Sequence, residues 1–206
     1  MLLIENQHFP SINYYLTLFN NLNIKIVEYE FFKKSTFRNR CIITGSSGPI
    51  SLSVPVKNGR NQKALFRDVE ISYFEDWQTR HWRSILACYS RSPFFEYYQL
   101  SLYALFCLKE KYLFDYNLKI QEKMAAILKI DLPGCVTFRP QPGEKCTDLR
   151  DMYSPQNFTD AKMPGKYLQV FIGKTGFIPN LSILDLLCNL GPETLDYLKS
   201  ENLKIF

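Results

Sequence analysis

The stretch of this sequence closest to chemistry is a short cationic run. Lys33, Lys34, Arg38 and Arg40 fall within eight positions, with Asn39 between the two arginines. Guanidinium forks recognise phosphate through paired hydrogen bonds. On a strand, alternation puts Arg38 and Arg40 on one face and Asn39 on the other, so the arginines could clamp a diphosphate. The competing reading is a solvated strand edge guarded by positive charge. A second group follows at Trp77, Arg80, His81, Trp82 and Arg83. His81 lies four residues after Trp77 and shares its helix face. It is either an imidazole packed on an indole or a general base near neutral pH. Arg80 and Arg83 flank it and could extend an anion pocket. Gln7 and His8 follow a strand candidate and precede a helix. Ligands gather at that strand end in open α/β sheets, and a helix N-terminus favours anions. Gln7 reads equally as loop or site, and His8 as a surface histidine.

Other motifs carry less. Gly45-Ser46-Ser47-Gly48 is a hairpin turn rather than a nucleophile elbow. Gly173-Lys174-Thr175 ends like a P-loop but lacks the upstream glycine. Asp148 and Asp151 could hold a metal, although two isolated carboxylates usually remain solvated. Cys41, beside Arg40, is the one thiol whose neighbourhood could lower its pKa; a buried strand cysteine is the plainer reading.

These residues must be carried by a chain of 206 residues, 46% hydrophobic and 22% charged, which suffices for a real core. Aromatics reach 15%, and the plain reading is a Phe/Tyr core rather than walls for a sugar or base. A net charge of +5 suits phosphates or an acidic surface but is too modest and dispersed for nucleic acid. The six cysteines include no C-x-x-C pair, so no metal site is expected. The N-terminus lacks the pattern of a signal peptide, and no run of about 18 apolar residues exists to span a membrane. The expectation is a reduced, cytoplasmic protein.

The elements expected to position these residues form an α/β chain. Leu2–Glu5 reads as a strand, and Ser11 as the cap of a helix with apolar residues at Ile12, Tyr15, Leu16 and Phe19. Ile24–Tyr29 reads as a second strand, parallel to the first. An antiparallel hairpin follows, Arg38–Thr44 returning along Pro49–Val56, with Pro55 marking an edge or bulge. Val69–Ile71 is a further short strand. Helices are expected from about Asp76 to Tyr89, from Phe94 to Leu113 and from Asp115 to Leu128. Residues 133–166, rich in Pro and Gly, read as one long irregular loop of functional length. Tyr167–Phe171 reads as a strand, and Leu181–Leu187 and Glu193–Leu198 as short helices. The parts are assigned to a single domain over 1–206: a mainly β part to 75, helices to 132, the loop, then the strand and short helices.

Four of these features together resemble the WbqC-like family of bacterial proteins. They are Gln7-His8-Phe9-Pro10, Arg38-Asn39-Arg40 leading into a strand, Leu52-Ser53-Val54-Pro55-Val56, and Trp77 followed by His81, Tyr89 and Ser92-Pro93-Phe94-Phe95. The tail from Gly176 to Leu187 is also similar. His8 stands where the family commonly has proline. The resemblance implies a protein associated with making surface polysaccharide such as O-antigen or capsule. It names neither reaction nor cofactor. The function expected is that of a transferase acting on a nucleotide-linked or lipid-linked sugar, with group transfer to an amino sugar. His81 would be catalytic, and Gln7, Lys34, Arg38, Arg40, Arg83 and Trp77 would bind substrate. The alternative is a non-catalytic module that binds a polysaccharide precursor or docks on an assembly partner.

Overall fold

The computed structural model describes residues 1–21, 23–58, 63–131, 133–136 and 146–199. Its N-terminal part is the expected strand–helix–strand unit: β1 (Leu2–Ile4), α1 (Ile12–Phe19) and β2 (Ile24–Val27). β1 and β2 pair in parallel, Leu2 opposite Ile24 and Ile4 opposite Ile26. The antiparallel hairpin is β3 (Arg40–Gly45) with β4 (Gly48–Ser53), closed at Gly45 opposite Gly48 around Ser46-Ser47. Gly48 has φ of +116°, a conformation that side chains rarely adopt. Pairing stops at Ser53, ahead of Pro55, whose ring nitrogen has no hydrogen to donate. Val56 then bridges Ile71, and Glu70 bridges Tyr112, in place of a strand at 69–71.

The helical half contains α2 (Trp77–Tyr89), α3 (Phe95–Phe106) and α4 (Leu113–Leu128). Asp76 caps α2 as its sequence implies, accepting the Thr79 amide. The helix expected to run from Phe94 to Leu113 ends at Phe106. The backbone beyond it pairs elsewhere: Ile71 N–H donates to the Lys111 carbonyl and Leu113 N–H to that of Val69.

The segment read as one irregular loop is the main correction. It supplies β5 (Cys135–Val136) and β6 (Thr147–Asp148), which join the parallel sheet in the order β5-β2-β1-β6. Two-residue strands carry no readable periodicity, and only long-range pairing makes them strands. Residues 137–145 of that expectation lie outside the described residues. Tyr167–Phe171 is not a strand either. Its Gln169 amide replaces sheet pairing, donating to the Ile178 carbonyl at 2.8 Å and accepting the Ile178 amide at 2.9 Å. The chain ends in α5 (Ile172–Thr175), α6 (Ile183–Leu190) and α7 (Thr194–Lys199). Gly173-Lys174-Thr175 therefore forms one helical turn, and no strand precedes it.

Aromatic side chains fill the core, as composition suggested: Phe9, Tyr15, Phe66, Trp77, Tyr89, Phe114 and Tyr116 are all below 3% exposed. Cys41, Cys88, Cys107, Cys146 and Cys188 are free thiols. Burial pushes the Cys41 thiol up, away from a reactive thiolate.

Packing leaves no room for a side chain at Gly191, after α6. Its φ is +55°, and an added Cβ would meet the Phe94 ring at 2.4 Å. Gly191→Ala is therefore expected to destabilise the fold by about 2–4 kcal/mol through strain and overpacking. A urea denaturation midpoint unchanged from wild type would refute this.

Candidate functional site

Parallel strands deliver their chains to one edge. Just past β1 stands Glu5, three residues past β2 stands Glu30, and just past β6 stand Arg150 and Asp151. All of them converge on Arg38. This residue precedes β3, in a turn, with its side chain wholly buried. Arg38 Nε and Nη2 donate to the two Glu30 oxygens at 2.6 and 2.7 Å, and Nη1 donates to Asp151 Oδ1 at 2.5 Å. Lys33 reaches the other Asp151 oxygen at 2.5 Å. Arg150 links Glu30 to Asp148. Glu5 accepts the Asp151 amide at 3.2 Å and the Gln7 side-chain amide at 2.7 Å.

Desolvation governs the charges here. Burial lifts the Glu5 carboxyl above its ordinary range, against the pull of Arg38 and Gln7. For Asp151 burial also pushes upward, but hydrogen bonds from Lys33 and Arg38 outweigh it and the pKa falls. Burial would discharge Arg38, yet Glu30 more than restores it, leaving the pKa raised.

The expectation that Arg38 and Arg40 share a strand face is thus overturned. Arg38 lies before the strand and its fork is filled by carboxylates, whereas Arg40 opens β3 and is half-buried. Asp148 is an exposed carboxylate paired with Arg150, and Asp151 is a partly buried one paired with Arg38 and Lys33. Gln7 is internally committed as well, its Oε1 accepting the Ser11 amide. The α1 N-terminus offers no anion seat. The amide of Ile12 donates to the Leu181 carbonyl, and that of Asn13 to Asn180 Oδ1.

A second cluster lies one residue beyond Gln7. His8, read as a surface histidine, is completely buried. Its ring centroid is 6.5 Å from that of His81 and 5.7 Å from that of Tyr116, on which it stacks. Trp77 closes the box, 5.1 Å from His81 and 5.7 Å from Tyr116. The indole therefore supports His81 and, at 1% exposure, cannot stack on a sugar. Phe9 follows with φ of +40°, unusual for a bulky residue. Ser182 Oγ donates to its carbonyl at 2.9 Å and helps hold this bend.

Several polar atoms in this cluster have no hydrogen-bond partner among the described residues. They are His81 Nδ1 and Trp77 Nε1, together with the His8 ring nitrogens and Asn117 Oδ1, whose two side chains approach each other without a well-formed bond. Buried polar atoms are nearly always satisfied, so a concentration of exceptions marks a place where a water or substrate group belongs. Burial lowers the His8 pKa to about 3, helped by His81 and opposed by Asn117. Burial likewise lowers His81 to about 4, opposed by a contact with the Ser53 backbone. Both rings are neutral at pH 7, and burial disfavours their protonated forms. Ser53 pairs with Arg40 across the hairpin, and the cation whose charge acts on His81 is Arg80.

The two clusters are tied together by α4. Asn117 donates to the Arg38 carbonyl at 2.8 Å. Gln121 donates to Asn6 Oδ1 at 2.7 Å and to the Gln7 carbonyl at 3.0 Å. These two polar residues are buried in α4 because the exit loop of β1 has backbone groups that need partners. Lys34 and Arg83 are exposed and join neither cluster. Sequence reasoning missed Glu5, Glu30, Arg150 and the role of Asp151; only the carboxylate at each strand end hinted at them.

A model of the WbqC-like protein family matches residues 6–145, more than half of the chain and including both clusters' central residues. The chain belongs to the WbqC-like family. Membership associates it with bacterial polysaccharide biosynthesis. No curated protein and no solved structure matches it. The family match ends before β6, so Asp148, Arg150 and Asp151 lie beyond it. Among the described residues, no helix is long and apolar enough to cross a membrane.

Two outcomes are expected. Glu30→Gln should cost about 3–5 kcal/mol, because Arg38 is left buried beside a neutral amide. Lys57→Ala, which breaks the exposed pair with Glu70, should cost under about 1 kcal/mol. Equal losses in chemical denaturation would contradict the assignment. The second outcome concerns pH. The unfolded chain protonates its histidines near 6.5, but the folded chain does so only near 4 and 3. Their stabilising contribution is whole above pH 6.5 and is lost as pH falls from there toward 3, at about 1.4 kcal/mol per unit for each ring. Glu5 and Asp185, both raised by burial, act in the opposite sense. The readout is therefore a difference: between pH 7 and 5, wild type should lose more stability than His81→Gln.

Proposed function

We propose that this chain is a transferase of bacterial polysaccharide biosynthesis, acting on a sugar carried by a nucleotide or lipid phosphate. One observation supports this above the others: a neutral imidazole, His81, stands with an unpartnered Nδ1 and contacts the backbone of Ser53, the residue paired with Arg40 across the hairpin. A general base must be unprotonated and within reach of an exchangeable proton, and works best with a pKa near the operating pH. The proposal therefore has the charge of bound substrate offset the burial that holds His81 at about 4. In this reading the acceptor's amine forms the new bond to the transferred group and gives its proton to His81. The bond to the donor breaks with its electron pair going to the leaving group. Arg40 offsets the charge that develops, and Trp77 and His8 hold the imidazole in place. Gln7 positions the exit loop of β1, as does the carbonyl of Arg38 through Asn117. Lys34 and Arg83 remain exposed cations that can steer a phosphorylated donor toward the site.

Thermal shift with nucleotide sugars tests the binding step, since a ligand bound only by the folded state raises the melting temperature by mass action. A shift is expected in wild type and retained in His81→Gln. The same variant should fail to restore surface glycan in cells that lack this chain. If the variant restores glycan fully, the non-catalytic binding module replaces the transferase. If no nucleotide or lipid-phosphate sugar shifts the wild type, the substrate class is wrong.

A further inference from the structure

Arg38 and Lys33 hold one carboxylate between them. Arg38 Nη1 contacts Asp151 Oδ1 and Lys33 Nζ contacts Asp151 Oδ2, both at 2.5 Å. The two cations are approached from opposite environments, with the Arg38 side chain fully buried, that of Lys33 60% exposed and that of Asp151 29% exposed. Asp151 therefore sits at the mouth of a cationic seat at the carboxyl end of the parallel strands, where ligands of such sheets bind.

The segment that carries Asp151 is a turn three residues beyond the end of β6. Asp151 occupies the left-handed region at φ +62°. Its turn is tied down by the Asp151 amide to Glu5, Met152 N–H to the Leu149 carbonyl, and the Arg150 pairs with Asp148 and Glu30. Met152 and Tyr153, next along, cover a crevice of about 20 Å³ bounded by Glu5, Gln7 and Asn13. That is room for about one water. Lifting the turn would open the crevice and bare both cations together.

We propose that Asp151 is a built-in occupant of an anion site, and that a phosphoryl group takes its place on Arg38 and Lys33 when substrate binds. The identity of the anion rests on the transferase reading above; the seat itself does not. Exchange is the natural mode here. A buried guanidinium cannot be left without a facing anion, so Arg38 has to trade one for another. Glu30 holds the other edge of the fork through both states. A phosphoryl group carries more charge than a carboxylate and has oxygens to spare for both cations. No covalent step is involved.

Asp151→Asn removes the competing charge while keeping the shape. By titration calorimetry at fixed ionic strength, inorganic pyrophosphate should bind this full-length variant at least tenfold more tightly than wild type. Adding Lys33→Met should cancel the gain. Lys33 is exposed, so its loss leaves folding intact, and Asp151→Ser carries the same expectation if the asparagine variant does not fold. No gain, or a gain that survives Lys33→Met, overturns the proposal. The two readings fail separately. Nucleotide sugars that stabilise wild type, with no pyrophosphate gain in Asp151→Asn, would sink the seat alone. A gain that depends on Lys33, with no sugar ligand for wild type, would keep the seat and sink the transferase.

Discussion

The constraint behind this structure is that one guanidinium, Arg38, has been taken wholly out of water. Desolvating a cation costs several kcal/mol, and only well-placed anions offset it. Glu30 supplies two oxygens and Asp151 a third. Those residues stand beyond β2 and β6, and Glu5 joins them from β1. Meeting the demand of one side chain thus fixes where three strand exits lie relative to one another. The short parallel strands, two to four residues each, could not set that geometry through backbone pairing alone.

Around that anchor the polar interior divides into two parts with opposite character. The ionic part is saturated, nearly every donor meeting an acceptor at 2.5–3.3 Å. The imidazole part keeps several nitrogens without partners. The exit loop from Glu5 to His8 belongs to both, and α4 grips its middle through Gln121. A saturated network is rigid, and rigidity is what an adjoining unsaturated site needs if its groups are to stay poised. The strained backbone at Phe9 fits this division, because it lies directly after His8 and is held by Ser182.

Much of this was legible in the sequence. The helix from Trp77 to Tyr89, its Asp76 cap, the Ser46-Ser47 hairpin and the β1–α1–β2 unit follow from spacing and turn chemistry. What spacing reveals is which side chains share a face, and it is silent about what that face meets. The cationic run illustrates the gap. Arg38 has the composition of a phosphate clamp, but its partners lie 8 and 113 residues away, and the nearer one precedes a turn that no local pattern specifies. His8 failed for a related reason: in a polar loop it reads as exposed, and only α2 and α4 folding over it bury the ring. β5 and β6 were beyond reach because two residues have no period.

The division between committed and available charge also bears on selectivity. A strand edge with Lys33, Lys34, Arg38 and Arg40 left bare would attract any polyanion, since unpaired cations recruit anions with little regard to shape. Here Arg38 and Lys33 are paired, and the helix N-terminus nearby is closed by Asn180 and Leu181. An anion gains little by arriving unless it can displace a carboxylate already held at two points. Under the proposed exchange that condition calls for a concentrated, well-shaped negative charge, such as a phosphoryl group, rather than a dispersed polyanion. If the proposed exchange holds, the same carboxylate that keeps Arg38 stable in the buried state raises the threshold for binding, and stability and discrimination come from one contact.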